Sequence, residues 1–161
     1  MTTSDSPEWD IPLHRPAMVR QVLEYLQPSA GQRALDVTAG TGGHSLALAR
    51  RLGADGLLVA MDRDEGALEV ARERLEEADC PFRLFKGSFT RAAEAAERAD
   101  VDGFDAVLAD LGIGTHQMDD PERGFSYRST AKLDMRYDRS QRLTAREVVN
   151  REPEDSLADI F

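Results

Sequence analysis

The chain has 161 residues, of which 41% are hydrophobic and 31% are charged, and this composition is typical of an ordinary soluble globular domain. The single cysteine cannot form an internal disulfide, no apolar run reaches the roughly 18 residues that cross a membrane, and the polar start is unlike a signal peptide, so we expect a cytoplasmic protein without a membrane contact. The net charge of −10 argues at first against a nucleic-acid partner.

Alternating strand and helix patterns fill the chain up to Leu111. After a polar tail at 1–13, apolar residues at helical spacing predict a helix over 17–27. The predicted strands cover 33–37, 57–61, 82–86 and 104–108, and the predicted helices between them cover 44–52, 65–78 and 91–100. This alternation indicates βαβ units, and therefore an α/β fold around about four parallel strands.

The pattern changes in residues 111–143, which are rich in turn residues and isolated aromatic side chains. Helical periodicity returns only near 144–149. A connection of about 30 residues is longer than usual, so we expect a binding surface here. Residues 121–151 carry eight basic and four acidic side chains. This excess is compatible with phosphate binding and equally with a solvated face of mixed charge.

The turn after the first predicted strand carries the strongest local signal. Residues 36–45 read Asp-Val-Thr-Ala-Gly-Thr-Gly-Gly-His-Ser. Glycines at 40, 42 and 43 let the backbone approach a ligand closely, and a helix that begins near His44 directs its free N–H groups into the turn. In doubly wound sheets this is where adenine-containing cofactors bind.

Two cofactor classes use such a turn, and Asp36 separates them. A dinucleotide site needs a third glycine where this chain has Ser45. Asp36, four residues before Gly40, would repel a pyrophosphate by roughly 1 kcal/mol or more at about 4 Å. S-adenosylmethionine carries a sulfonium and an ammonium but no phosphate. The residues therefore favour S-adenosylmethionine over a nicotinamide cofactor.

Two further residues are candidates for adenosine contacts. Asp62 ends the second strand, 22 residues after Gly40, where a carboxylate accepts hydrogen bonds from ribose hydroxyls in such folds. The alternative for Asp62 is an ordinary surface turn. Phe89 follows the third strand, where an apolar ring could flank the adenine, and its alternative is core packing.

Four motifs resemble those of one family. Residues 110–120 (DLGIGTHQMDD) are similar to DLGVSSPQLDD, residues 122–127 (ERGFSY) to ERGFSF, and residues 133–138 (LDMRYD) to LDMRMD, while His14-Arg15-Pro16 matches an opening H-x-P. The family is the bacterial ribosomal RNA small-subunit methyltransferase H type, also called MraW. The resemblance runs from about His14 to the last residue.

The resemblance implies a Rossmann-like class I methyltransferase fold and a reaction that methylates N4 of a cytosine in small-subunit (16S) ribosomal RNA with S-adenosylmethionine. It also implies that the partner is this RNA or the ribosomal subunit. The oligomeric state stays open, and a homodimer is possible. The cofactor contacts that it implies come from Gly42, Gly43, His44, Asp62, Phe89, Asp110 and Gln117, beside Asp36 and Gly40 from the turn.

This sequence departs from the family pattern at 114–116, where Gly-Thr-His replaces Ser-Ser-Pro, and at 131–132, where Ala-Lys replaces Gly-Pro. A divergent paralogue that acts on another RNA therefore stays open. The family implies a chain near twice this length, so we expect 14–161 to be a partial domain without the C-terminal half and the helical insertion. The alternative to an enzyme is then a non-catalytic module that binds S-adenosylmethionine or RNA.

Asp110, at the end of the fourth strand, is the candidate catalytic residue. An acceptor for an N–H hydrogen bond would localise the lone pair of a cytosine amine as the new C–N bond forms. The alternative is that Asp110 only holds the cofactor or the loop. Methylation at carbon 5 would need a cysteine nucleophile, and Cys80 precedes the third strand, at the opposite end of the sheet. The three histidines lack metal-ligand spacing, so we expect no metal site.

The long connection holds the candidate RNA contacts. A target base must leave its stack, which single-stranded RNA allows at the least cost. Phe125 and Tyr127 could stack on the base or its neighbours, with Arg123, Arg128 and Arg136 on phosphates. The alternative is that the aromatic rings pack the loop against the sheet.

Overall fold

The computed structural model describes residues 16–160, which form two compact units that divide between Leu111 and Gly112. The predicted polar tail, His14, Arg15 and Phe161 lie outside the described residues. Within the described range, no helix is long and apolar enough to cross a bilayer. No group of three or more His, Cys, Asp or Glu side chains in that range could hold a metal ion.

Four parallel strands form the centre of the first unit, which confirms the predicted α/β fold. They are β1 (Arg33–Asp36), β2 (Leu57–Asp62), β3 (Phe82–Lys86) and β4 (Ala106–Leu108), in the order β3-β2-β1-β4. The register pairs Asp36 with Ala60 of β2 and with Leu108 of β4. The carboxyl ends of these three strands therefore meet at one end of the sheet.

Helices connect the strands of the first unit. They are α1 (Val19–Leu26), α2 (Gly43–Leu52), α3 (Glu65–Leu75) and α4 (Ala92–Arg98). The N–H of Ala67 donates to the Asp64 carboxylate, which caps α3. A 3₁₀ turn at Phe89–Arg91 replaces the start of the helix that the sequence predicts over 91–100. The other predicted helices differ from the structure only at their ends.

Two apolar clusters cover the two faces of the sheet, because successive strand residues point to opposite faces. Ala34 and Leu58 pack under α1, α2 and α3, and their neighbours Leu35 and Val59 pack under α4. These four side chains are buried. Burial of each leucine or valine contributes about 1.5–3 kcal/mol. Both clusters lie in the first unit, which therefore has its own hydrophobic core.

The second unit is built differently. Its helices are α5 (Thr115–Asp119), α6 (Ala145–Arg151) and α7 (Glu154–Ile160), with a 3₁₀ turn at Pro121–Arg123. Among its described residues, the buried side chains are polar, namely Gln117 and Arg123. The sequence predicted α6 but neither α5 nor α7. Since α5 has five residues, it is too short to show an apolar period.

Candidate functional site

The glycine turn connects β1 to α2 at the carboxyl end of the sheet. Gly40 and Gly42 have φ angles of +50° and +85°, which favour glycine strongly over residues with a Cβ. A Cβ at position 42 would also lie 2.9 Å from the Cα of Ala71 in α3. The turn is thus fixed both by its backbone conformation and by the close approach of α3.

Asp36 lies beneath this turn and is fully buried. The Ser45 hydroxyl donates to Oδ2 at 2.6 Å, and the N–H and hydroxyl of Thr38 donate to Oδ1 at 3.0 and 3.3 Å. Burial raises the pKa of Asp36, and the bonds from Ser45 and Thr38 act in the opposite direction. Both carboxylate oxygens are therefore bonded to groups of the turn itself.

Thr38 links two strand ends, a role that the sequence did not suggest. The backbone N–H of Asp110, just after β4, donates to the Thr38 hydroxyl oxygen at 2.7 Å. That hydroxyl in turn donates to Asp36. The start of the segment after β4 is thus tied to the buried carboxylate at the end of β1. The available signal was a hydroxyl residue two positions after a strand-ending acid.

Asp62 holds the turn from the neighbouring strand. Its Oδ2 accepts a hydrogen bond from the Gly40 N–H at 2.8 Å, and its Oδ1 accepts one from the Asp64 N–H at 2.9 Å. Each carboxylate oxygen has two lone pairs, so Asp62 keeps acceptor capacity for a ligand. The main-chain oxygen of Asp62 also accepts from the Gly87 N–H at the end of β3. The ends of β1, β2 and β3 are therefore joined at Asp62.

His44 and Asp110 meet at the carboxyl end of the sheet. The Nε2 of His44 lies 3.5 Å from Oδ2 of Asp110. The His44 side chain is 9% exposed and that of Asp110 is 61% exposed. The Nδ1 atom of His44 is buried and has no hydrogen-bond partner among the described residues. The pair thus combines an accessible carboxylate with a nearly buried imidazole.

The N-terminus of α2 has donors without a capping side chain. Its first turn contains no acidic residue, and Gly42 at the cap position has no side chain to accept a bond. Free N–H groups at such an end bind a carboxylate or another anion. The turn, the Asp62 carboxylate and these donors therefore fit an amino-acid-bearing adenosine ligand such as S-adenosylmethionine.

Phe89 follows β3 and is 48% exposed. It begins the 3₁₀ turn Phe89–Arg91, which Ser88 caps by accepting a bond from the Thr90 N–H at 3.3 Å. A ring exposed to this degree is not a core residue. Seven of the nine predicted cofactor residues thus lie together at the carboxyl ends of the strands, namely Asp36, Gly40, Gly42, Gly43, His44, Asp62 and Asp110. Phe89 begins the turn after β3.

Gln117 belongs to the second unit and is buried in α5. Its Oε1 accepts a hydrogen bond from the Gly114 N–H at 3.1 Å, which caps the helix.

Cys80 is buried just before β3, at the amino end of the sheet, whereas the glycine turn lies at the carboxyl end. Burial raises the pKa of the Cys80 thiol, so it is a poor nucleophile as well as a distant one.

Two of the predicted phosphate-binding arginines are used within the second unit. Arg123 is buried, and its Nη2 donates to the main-chain oxygens of Arg136 and Tyr137 at 3.2 and 3.0 Å. Arg136 donates to both carboxylate oxygens of Asp134 at 2.7 Å, and its Nη1 donates to the oxygens of Arg139 and Gln141. This bidentate pair lowers the pKa of Asp134.

The predicted aromatic contacts also divide. Phe125 packs on Tyr137 with ring centroids 5.4 Å apart, and the Tyr137 hydroxyl donates to the Gly112 oxygen at 3.1 Å. Tyr127 is 91% exposed. The guanidinium carbon of Arg128 lies 5.7 Å from the Tyr127 ring centroid. Phe125 is therefore a packing residue of the loop, whereas Tyr127 and Arg128 face solvent.

The chain is similar over most of its length to one family of known proteins. The model of the MraW methylase family matches residues 12–161. Ribosomal RNA small subunit methyltransferase H of Natranaerobius thermophilus is 39% identical over 146 residues, which are 91% of this chain and 46% of that protein. The protein of the same name from Geobacter sulfurreducens is 43% identical over 148 residues, which are 92% of this chain and 48% of that protein. This chain thus spans about half the length of these relatives.

A solved structure shares the architecture. TrmN from Thermus thermophilus is similar with a TM-score of 0.51 and 26% identity, over 69% of this chain and 32% of that one. The predicted Rossmann-like class I fold is confirmed, with four strands of its parallel sheet. The carboxyl end of such a sheet is where ligands bind.

Proposed function

Because the chain belongs to the MraW methylase family, we propose that it binds S-adenosylmethionine at the carboxyl end of its sheet and methylates N4 of a cytosine in small-subunit ribosomal RNA. The observation that carries the proposal is the glycine turn, held between the carboxylates of Asp36 and Asp62 and followed by an uncapped helix N-terminus. An RNA substrate of this kind places the reaction in the cytoplasm.

The cofactor contacts follow from the chemistry of each group. The N–H groups of Gly43 and His44 would bind the carboxylate of the cofactor, and Asp62 would accept from its ribose hydroxyls. Phe89 would flank the adenine. Asp36 would act through its charge and by fixing the turn, since its oxygens are already hydrogen-bonded. When bound, S-adenosylmethionine supplies an electrophilic methyl group on sulfur.

Asp110 is proposed to receive the proton that the reaction releases. Transfer of that methyl group from sulfur to an amine nitrogen would release one N–H proton. The Asp110 carboxylate is exposed and its main chain is fixed by Thr38. It can therefore accept a hydrogen bond from the amine N–H and then the proton itself. Gln117 is proposed as a further cofactor contact, on the family motif alone.

Asp110→Asn tests this role. We expect methyl transfer to fall by about 100-fold or more, which is a much larger loss than any change in the affinity for S-adenosylmethionine, because an amide accepts a proton poorly. Single-turnover transfer and calorimetry measure the two quantities. A near-normal transfer rate would leave Asp110 only a holding role.

Calorimetric titration with S-adenosylmethionine, and separately with NAD, tests the cofactor. We expect binding of the first only. Asp62→Asn should weaken that binding by about tenfold or more, because a charged acceptor is lost. Asp55→Asn is the matched control, since Asp55 is an exposed turn residue before β2. Binding of NAD instead, or no binding of either ligand, would overturn the proposal.

A second candidate is a module that binds S-adenosylmethionine without transferring methyl groups. It needs only the glycine turn, the Asp62 carboxylate and the uncapped N-terminus of α2, all of which the structure describes. Transfer of tritiated methyl to small ribosomal subunits that lack the modification decides between the two. Label on the cytosine N4 supports the enzyme, and cofactor binding without transfer supports the module. Light scattering of the same sample distinguishes a monomer from a homodimer.

A further inference from the structure

Tyr127 is an aromatic side chain with almost no protein contact. The residue is 91% exposed. A lone exposed ring has no role in folding, because it buries no apolar surface. Such rings commonly serve as platforms on which a partner's planar group stacks.

The turn that carries Tyr127 is held by several hydrogen bonds. The Ser129 N–H donates to the Ser126 oxygen at 3.1 Å, and the Ser129 hydroxyl donates to the Pro121 oxygen at 3.0 Å. The Arg128 N–H donates to the Ser126 hydroxyl at 3.3 Å. Tyr127 is thus displayed from a fixed turn, which reduces the entropy lost when a partner binds.

The residues on either side hold this turn in place from below. Phe125 packs on Tyr137, and buried Arg123 donates to the main chain at Arg136 and Tyr137. Arg136 is in turn paired with Asp134. These contacts make Arg123, Phe125 and Arg136 a scaffold for residues 126–129.

Arg128 completes the display. Its guanidinium carbon lies 5.7 Å from the centroid of the Tyr127 ring, which is within the range of a cation–π contact. The guanidinium approaches the ring from one side only. The opposite face of the ring is open for a second planar group, and the charge of Arg128 remains available for an anion beside that group.

The segment around Tyr127, residues 121–151, carries eight basic and four acidic side chains, and this local excess favours an anionic partner. The acids of residues 121–151 include Asp134 and Glu147, which are paired with Arg136 and Arg151. The exposed basic residues for which no ion pair is described are Arg128, Lys132, Arg139, Arg142 and Arg146. A planar, polyanionic partner fits this surface, and single-stranded RNA has both properties.

We propose that Tyr127 and Arg128 form a stacking platform for an unpaired nucleotide of RNA, with the base on the open face of Tyr127 and the adjacent phosphate at Arg128. The platform rests on the proposed function only in taking RNA as the partner. It assigns different tasks to the five candidate RNA residues: two contact the nucleotide and three position the turn.

The test is the affinity of the full chain for a fluorescein-labelled single-stranded oligoribonucleotide of about 12 nucleotides, measured by fluorescence anisotropy at low salt. We expect Tyr127→Ala to weaken binding by roughly 5- to 150-fold, and Tyr127→Phe to bind like the wild type because the ring is kept. In a plot of log affinity against log salt, Arg128→Gln should make the negative slope shallower by about 0.7, because one phosphate contact is lost.

Tyr25→Ala is the matched control, since Tyr25 is 88% exposed on α1 in the first unit, and it should leave RNA affinity unchanged. The same oligonucleotide annealed to its complement should bind more weakly to the wild type and lose its response to Tyr127→Ala. Unchanged melting temperatures in all variants would exclude an effect of folding, because neither tyrosine ring is packed.

Three outcomes would overturn the platform: no RNA binding by the wild type, equal binding by wild type and Tyr127→Ala, or equal loss in Tyr25→Ala. None of them bears on the calorimetric titration with S-adenosylmethionine, which tests the cofactor site in the first unit. Conversely, failure of that titration with retained RNA binding would remove the methyltransferase proposal and leave the platform standing.

Discussion

At the residue scale, the carboxylate of Asp36 is fully buried and accepts three hydrogen bonds from Thr38 and Ser45. Residue types and spacing marked Asp36 as a charge near the ligand. They did not reveal its depth, because burial depends on how β1 sits between β2 and β4. Ser45, which marked the absence of a third glycine, is one of the donors that hold Asp36.

Asp36→Asn should change how stability depends on pH. Burial raises the pKa of Asp36 above its ordinary value of 3.8, so the native state holds this proton more readily than the unfolded chain. The contribution of Asp36 to the free energy of unfolding is therefore fully present below pH 3.8 and is lost as pH rises through the raised pKa. Urea unfolding from about pH 4 to about pH 7 measures it.

The wild type should accordingly lose stability relative to Asp36→Asn as pH rises across that range. Asp55→Asn serves as the matched control, because Asp55 is an exposed turn residue. A constant difference between wild type and Asp36→Asn at all pH values would contradict the assignment.

Gly42→Ala should destabilise the chain more than Gly31→Ala. Both glycines have positive φ, +85° and +80°, so each alanine incurs a backbone cost of about 1–2 kcal/mol. Only at position 42 does the new Cβ also meet Ala71, at 2.9 Å, whereas position 31 has nothing within 4 Å. Thermal and urea unfolding compare the two variants. Equal costs would show that α3 moves aside without resistance.

At the scale of elements, the strands of the first unit are predictable because their apolar runs end at glycine or aspartate. The structure of the second unit is not predictable in this way, because it is held by side-chain contacts that leave no periodic pattern of apolar residues in the sequence. Arg136 reaches Asp134 and two main-chain oxygens, and Arg123 reaches two more. Arginines that look like free cations in the sequence are therefore used inside the loop.

Two departures from the family motif, glycine at 114 and histidine at 116, are physically linked. A Cβ at Gly114 would lie 2.5 Å from the Cε1 of the His116 ring. The family pattern has serine and proline at these two positions, so a side chain at 114 would require the imidazole ring at 116 to move. The loss of one side chain accompanies the gain of the other.

Gly114→Ser should therefore destabilise the start of α5 by about 0.5–1.5 kcal/mol, because the His116 ring must leave its present position. His116→Pro in the same chain should recover most of that loss, because it removes the ring. Hydrogen exchange of residues 114–119 measures the single and double variants. Additive effects of the two substitutions would contradict this coupling.

At the scale of the whole molecule, the two units differ in what stabilises them. Every residue of the two apolar clusters belongs to the first unit. In the described part of the second unit, α6 and α7 bury no side chain. The family assignment from the motifs is confirmed, although those motifs lie mostly in the second unit, where the sequence predicted the structure least well.

Limited proteolysis should therefore cleave the second unit first. Elements without buried apolar side chains open at lower free energy than a packed core. We expect trypsin to cut after the exposed arginines between 128 and 146 while residues 33–108 stay intact, as mass spectrometry of the fragments would report. Early cleavage at Arg50 or Arg72, within helices of the first unit, would contradict this order.

The hydroxyl of Thr38 has a consequence for how tightly a ligand is held. Because it fixes the main chain of Asp110 against the end of β1, the second residue beyond β4 has its position before any ligand arrives. Little conformational freedom is then left to lose on association at this point. Thr38→Val keeps the shape of the side chain but removes the hydroxyl, so the main chain at Asp110 should become freer. The ligand should then bind more weakly, with a more unfavourable binding entropy.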